Sequence, residues 1–455
     1  MANMVLATLV QGTGAHPASW LRTGSTVDAS LDIDFYIDAA RICEQGKFDL
    51  FFIADTPGVR TDNLQAWSKY PFYTNVYEPL TLLSAIAGAT KQIGLGGTVS
   101  TSFFEPYNVA RMFVSLDHLS HGRAAWNVVT SADDYAARNF GLDRLPPHDQ
   151  RYERAKEFVH VVKQLWDSWE DDAFVHDRAS GLYFDPAKMH VVDHQGKHFS
   201  VNGALNIARA PQGHPVIIQA GASDAGKEFA AETAEIVFAS DVTFDKAKLF
   251  YDDLKGRLPK YGRAAGDLKI LAGMAPVVGA TAEEAEAKFQ DLQRLIHPDV
   301  ARMRVGRDLE VDLSGLPMDE PIPLELIPEK ANFHQAYFNQ IVAMIRSGMT
   351  LREISLEYER GIATVRGTPQ QIADHMEEWF AGGVCDGFMF IFYTMPGLLR
   401  DFVEMVVPEL QRRGLVQIDY SGDTMRERLG LSRPAHPHAA PAAGRAAVPA
   451  LATSD

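Results

Sequence analysis

Ser223 ends the apolar run VIIQAGAS and stands directly before DAGKEFAA, a segment of helical period. A serine placed between a strand and a helix start has two chemical uses. Unpaired backbone N–H groups and the helix dipole attract a phosphate there, and the hydroxyl adds a further donor. Alternatively, Gly221, Ala222 and Ser223 supply the first half of the G-x-S-x-G elbow of serine hydrolases. The second glycine of that elbow would fall at position 225, which is Ala, with Gly226 one residue further on. Polar residues stop other apolar runs in the same way: Asp55 after LFFIA, Ser100 and Thr101 in IGLGGTVST, and Asn127, Thr130 and Ser131 in AAWNVVTS. An Asp or Ser in such a place can simply cap the next helix, so the weight lies in their convergence on one set of strand ends.

The elements that position these residues alternate. Short runs rich in β-branched and aromatic residues begin at Val5, Leu50, Ile93, Ala124, Pro215, Glu235, Leu268 and Gly387, and segments of helical period separate them. Eight strands alternating with helices is the count that closes a (β/α)₈ barrel, whose active sites lie at the C-terminal ends of the strands. The chain reads as one α/β TIM-barrel domain over residues 1–433. Insertions interrupt it at about 170–213 and 296–350, and an alanine- and proline-rich tail without periodicity, expected to be disordered, covers 434–455.

The remaining signals exclude more than they assign. IGLGG lacks the third glycine of G-x-G-x-x-G, so a stably bound dinucleotide has no support. Of the 15 histidines, the pairs His118/His121 and His436/His438 are poor metal ligands by position, one at a helix-strand turn and one in the tail, so no metal is expected. A net charge of −16 repels nucleic acid. Two distant cysteines, Cys43 and Cys385, together with the absence of a leader or a membrane-length apolar run, read as a reduced, cytoplasmic protein.

The stretches FDLFFIAD, GTVSTSFFEPYNVARMFVSLDHLSHGRAAWNVVTS, HDQRYERAKEFVHVVKQLWDSW, PVIIQAGASDAGKEFAA, GTPQQIADHMEEWFAGGVCDGFMF and VPELQRRGL cover most of the chain. In them the sequence resembles the bacterial-luciferase-like flavin-dependent monooxygenases, in the branch of nitrilotriacetate and dibenzothiophene-sulfone monooxygenase component A. The resemblance implies the oxygenase half of a two-component system. Reduced FMN arrives as a co-substrate from a separate NAD(P)H:flavin reductase, and with O2 it forms a C4a-peroxyflavin that oxygenates a small organic substrate; the protein is a homo-oligomer. It further implies FMN contacts at Asp55, Thr101, His148, Tyr152 and Ser223, with Ser223 and Tyr152 at the phosphate, and Asn127 near the isoalloxazine ring. His16 and His334 fall on the substrate side as catalytic candidates.

The substrate class stays open between aromatic or organosulfur compounds and aminocarboxylates. The aromatic stretch WSKYPFYTNVYEP and the scarcity of Arg and Lys at strand ends favour a flat apolar molecule. Two other readings stand beside the oxygenase: a serine hydrolase using Ser223 with a base such as His334, and a non-catalytic flavin-binding protein.

Overall fold

The computed structural model describes residues 3–240, 243–329, 335–358 and 362–438. The first four expected strands form as β1 (Val5–Leu9), β2 (Leu50–Ile53), β3 (Gly94–Ser100) and β4 (Ala124–Val129). A hairpin of β5 (Val192–Gln195) and β6 (Ser200–Gly203) occupies the first insertion. Then come β7 (Val216–Gln219), β8 (Ile236–Ala239), β9 (Lys269–Val278), β10 (Ala363–Gly367) and β11 (Gly387–Phe390). Parallel pairing of β8 with β9, of β9 with β11 and of β11 with β1 closes the eight-stranded barrel β1-β2-β3-β4-β7-β8-β9-β11. This is the (β/α)₈ architecture that the alternation predicts.

Period-two alternation sorts each strand's side chains between two cores. Val5 and Ala7, Leu50 and Phe52, and Val216 and Ile218 fill the barrel interior, while Leu6, Phe51, Trp126 and Ile217 pack outward under the helices. The glycines of IGLGG have a packing task here. A Cβ on Gly96 would come within 3.0–3.2 Å of Leu50, Ile218 and Phe52, so β3 is thin where the interior is full. Met425, Leu429 and Leu431 close the lower end of that interior. The LSHGR turn is structural too. Arg123, fully buried, donates to the carbonyls of Ala87, Thr90, Ile93 and Ser120, and His118 Nε2 lies 3.1 Å from the carbonyl oxygen of Ala208.

β10 has no counterpart in the sequence reading. Its five residues ATVRG are mostly half-exposed and carry no clear alternation. It forms because β9 is ten residues long: Lys269–Ala272 pair with β8, Leu271–Met274 with β11, and the remaining reach, Met274–Val278, pairs with β10 beyond the barrel. The second insertion contributes the helices Pro298–Leu309, Gln335–Arg346 and Leu351–Glu357, with a core of their own built on Val305, Leu309, Ile341 and Ile354.

Residues 434–438 pack on the first insertion. Arg209 donates to the carbonyl of Pro434 at 3.0 Å, and His436 Nε2 lies 3.0 Å from the carbonyl oxygen of Asp167. That places His436 beside Glu170 and His190, whose own contact is 3.0 Å. No helix among the described residues is long and apolar enough to cross a membrane.

Candidate functional site

Two chambers open at the C-terminal rim of the barrel. The first, about 300 Å³, lies where β2, β4 and β7 end, and is lined by Asp55, Thr130, Ser131, Gln219, Gly221 and Tyr152, among others. Its floor at Gly221 is a close approach of two backbone segments. A Cβ on Gly221 would meet the Cα of Gly226 at 2.9 Å and the Tyr152 hydroxyl at 3.1 Å, and one on Gly226 would meet the same hydroxyl at 3.0 Å. Only paired glycines let the turn after β7 and the helix Asp224–Thr233 close up in this way, leaving bare backbone beside a tyrosine hydroxyl.

Ser223 is the N-cap of that helix. Its Oγ accepts from Gly226 N at 3.1 Å and stands 3.4 Å from His148 Nε2. The His148 ring lies 4.6 Å from that of Tyr152. Asp224, next to the helix start, is paired with Arg257 at 2.6 Å, so its negative charge is offset. The arrangement can hold a phosphate. It is poorly built for a nucleophile: Ser223 has relaxed extended dihedrals, φ −66° and ψ 162°, where the elbow needs a strained turn. Asp149, 3.3 Å from His148 Nδ1, is 99% exposed and cannot fix that imidazole as a buried carboxylate would.

Asp55 follows β2 and lines the same chamber. Burial raises its pKa to about 6; the charge of Glu78 adds to the shift, and a hydrogen bond from the Thr56 backbone opposes it. On β4, Asn127 sits two residues before Val129, which lines the chamber, and on the same strand face. Its Nδ2 donates to Thr98 Oγ1 at 2.8 Å, but its buried Oδ1 has no hydrogen-bond partner among the described residues. An orphan buried acceptor is costly, about 1–3 kcal/mol, and calls for a donor.

The second chamber, about 360 Å³, lies behind His16 and includes Gln293, Arg304, Arg307, Tyr358 and Tyr393 in its wall. His16 is 5% exposed. Its Nδ1 accepts from Ala18 N at 3.1 Å, so the ring proton is on Nε2 and is donated to Gln293 Oε1 at 3.2 Å. Burial lowers its pKa to about 4, against the Gln293 bond and with help from the charge of Arg304. Tyr73 joins the two chambers: it lines the second, bonds to Gln11, and feels the charge of Asp55 in the first. Above it Trp67, Tyr70, Phe72 and Tyr73 pack ring on ring, with centroids 4.6–6.2 Å apart.

The chain matches the model of the luciferase-like monooxygenase family over residues 12–386. It belongs to that family. It is 42% identical to N-acetyl-S-(2-succino)cysteine monooxygenase of Bacillus subtilis (strain 168), over 95% of this chain and 98% of that one. It is also 42% identical to nitrilotriacetate monooxygenase component A of Aminobacter aminovorans, over 96% and 98%. A riboflavin lyase solved with modified FMN and riboflavin superposes with a TM-score of 0.80 at 31% identity, covering 95% of this chain and 96% of the other. The protein is a monooxygenase.

Within this luciferase-like barrel, the residues singled out from the sequence fall in three places. Asp55, Tyr152, His148 and Ser223 gather at the first chamber, and Asn127 lies beneath it. Thr101 lines neither chamber; its hydroxyl donates to Val129 O at 3.1 Å and ties the end of β3 to β4. His16 lies in the second chamber. His334 lies outside the described residues.

Sequence reasoning missed Gln293, Arg304, Arg307 and Tyr393. Two of these left a trace. Tyr393 follows the eighth strand, where the rim rule applies, and Gln293 occupies the buried stripe Ala285, Phe289, Leu292 of its helix, a polar residue in an apolar position. Arg304 and Arg307 come from the second insertion, whose path over the rim no local pattern encodes.

Proposed function

We propose that the protein is the oxygenase component of a two-component monooxygenase, that it takes reduced FMN from a separate NAD(P)H:flavin reductase, and that the first chamber binds the flavin. The observation that carries this is the pairing of a phosphate-type cradle with an orphan acceptor at one strand-end rim. Bare backbone at Gly221 and Gly226, the Tyr152 hydroxyl and the Ser223 cap suit the phosphate. The Oδ1 of Asn127, lacking a donor among the described residues, suits a ring N–H. Two relatives support the reading: one is named component A of a monooxygenase, and another is solved with modified FMN.

The bound flavin supplies the activation of O2; the protein supplies binding, orientation and exclusion of water. Ser223, Tyr152 and the helix start hold the anionic end. Asp55 faces the same chamber with its pKa raised to about 6, so at neutral pH it is mainly the carboxylate and accepts a hydrogen bond from a polar edge. The stacked aromatics from Trp67 to Tyr73 cover the rim and restrict water. In the second chamber His16, neutral and fully hydrogen-bonded, shapes the substrate's surroundings without moving a proton.

Anaerobic titration with reduced FMN tests the reading. Reduced flavin should bind and raise thermal stability, NADH alone should not be consumed, and oxygen uptake should require supplied reduced FMN. NADH oxidation by the isolated chain would refute the two-component assignment.

A further inference from the structure

The second chamber is one-sided in charge. The chain carries a net charge of −16, yet among the described residues no Asp or Glu lines this cavity, while Arg304 and Arg307 both do. They lie one turn apart on the helix Pro298–Leu309. Arg307 is 3.5 Å from Asp308, whose other oxygen accepts from the Tyr358 hydroxyl at 2.9 Å. Arg304 has no carboxylate partner among the described residues, and its charge reaches His16. Tyr358, Tyr393 and Thr364 add hydroxyls to the same wall. A half-enclosed cavity whose described wall holds two guanidiniums and no acid focuses a positive potential, and an arginine there gains most from a planar, bidentate anion.

We propose that this chamber is a carboxylate-binding subsite, with Arg304 as anchor and Arg307 in support, and that the substrate to be oxygenated is a carboxylate-bearing anion whose less polar part faces the flavin chamber. The assignment rests on the oxygenase reading for its word substrate, but the subsite itself can be measured without flavin. It also reverses the weight given to the aromatic stretch. Those rings are spent largely on each other, as the Trp67–Phe72 and Phe72–Tyr73 contacts show, so they are a lid more than a selector.

The test uses the full-length, flavin-free protein and calorimetric titration with succinate, glutarate and tricarballylate, each against its methyl ester. At low salt at least one acid should bind about tenfold or more tightly than its ester, with the preference shrinking as salt rises. Arg304→Gln should remove that preference, and Arg304→Lys should keep part of it. If no acid outbinds its ester, or if Arg304→Gln retains the full preference, the subsite is wrong; the acid-versus-ester comparison on the unaltered protein stands even if a variant fails to fold. Reduced FMN is titrated on the same sample. Flavin binding without discrimination between acid and ester overturns the subsite alone, and the converse overturns the oxygenase reading alone.

Discussion

Gln293 holds His16 as a neutral hydrogen-bond donor: its Oε1 takes the His16 Nε2 proton at 3.2 Å, while its own Nε2 donates to the Leu356 carbonyl at 2.7 Å and fixes which way the amide faces. With Nδ1 already accepting from Ala18, the imidazole has no site left for a second proton. The bond also ties the loop after β1 to the helix Ala282–Arg294, so the position of His16 depends on an element nearly 280 residues away.

A dependence of stability on pH follows. The folded pKa of His16, about 4, lies below its ordinary value of 6.5. The unfolded chain therefore binds a proton that the folded chain refuses between those values, and stability falls as pH drops from 6.5 towards 4, by about 3 kcal/mol in all. His16→Asn removes that group and should flatten this part of the profile. Urea unfolding of both proteins at several pH values checks it; parallel profiles would show that His16 does not carry the shift.

How much of this was readable depends on the distance over which each feature is set. The eight barrel strands are local: VLATL, LFFI, VIIQ and GFMF are short buried runs bounded by turns, and each appears where it was expected. Ser223 was legible because its role as a cap is fixed by the four residues after it. Strand β10 was not, since it exists only because β9 outruns the barrel and offers a free edge. Nor was the charge of the second chamber, because Arg304 and Arg307 reach the rim through tertiary packing of the helices around Val305 and Ile341. Counting charges at strand ends could not see them.

Asn127 should separate stability from flavin binding. Asn127→Leu removes the orphan Oδ1 but also the bond to Thr98, so the two effects on the flavin-free protein oppose each other and stability should stay within about 1 kcal/mol. Affinity for reduced FMN should fall by roughly tenfold. Differential scanning fluorimetry with and without reduced FMN reads both quantities. An undiminished flavin-dependent rise in Tm would mean that Oδ1 does not meet the cofactor.

Two glycine substitutions should move in opposite directions. Gly88, in the helix Pro79–Ala89, has nothing within 4 Å of an added Cβ, so Gly88→Ala should stabilise by up to about 1 kcal/mol through helix propensity. Gly221→Ala forces a methyl against Gly226 and Tyr152 at 2.9 and 3.1 Å, and should destabilise by about 1–3 kcal/mol while opening the cradle. Flavin affinity should drop only in the second variant. Equal affinity in both would remove the glycine pair from the binding site.

Ser223 is where the flavin and hydrolase readings part most sharply. As a phosphate ligand its hydroxyl contributes one charge-assisted bond, about 1.5–3 kcal/mol, beside helix N–H groups that a mutation leaves intact. Ser223→Ala should therefore weaken reduced-FMN binding by roughly tenfold to a hundredfold and leave turnover at saturating flavin largely unchanged. It also loses the cap to Gly226, which costs about 1 kcal/mol of stability whichever reading holds, so a fall in Tm alone decides nothing. As a nucleophile paired with His148 at 3.4 Å, the same residue would carry all hydrolytic activity, and its loss should lower ester turnover by several orders of magnitude without regard to flavin. The relaxed backbone at Ser223 and the exposed Asp149 favour the first outcome. Flavin affinity and saturated turnover measured on one preparation decide between them: unchanged affinity would end the phosphate role, and covalent labelling of Ser223 by a fluorophosphonate would establish the nucleophile.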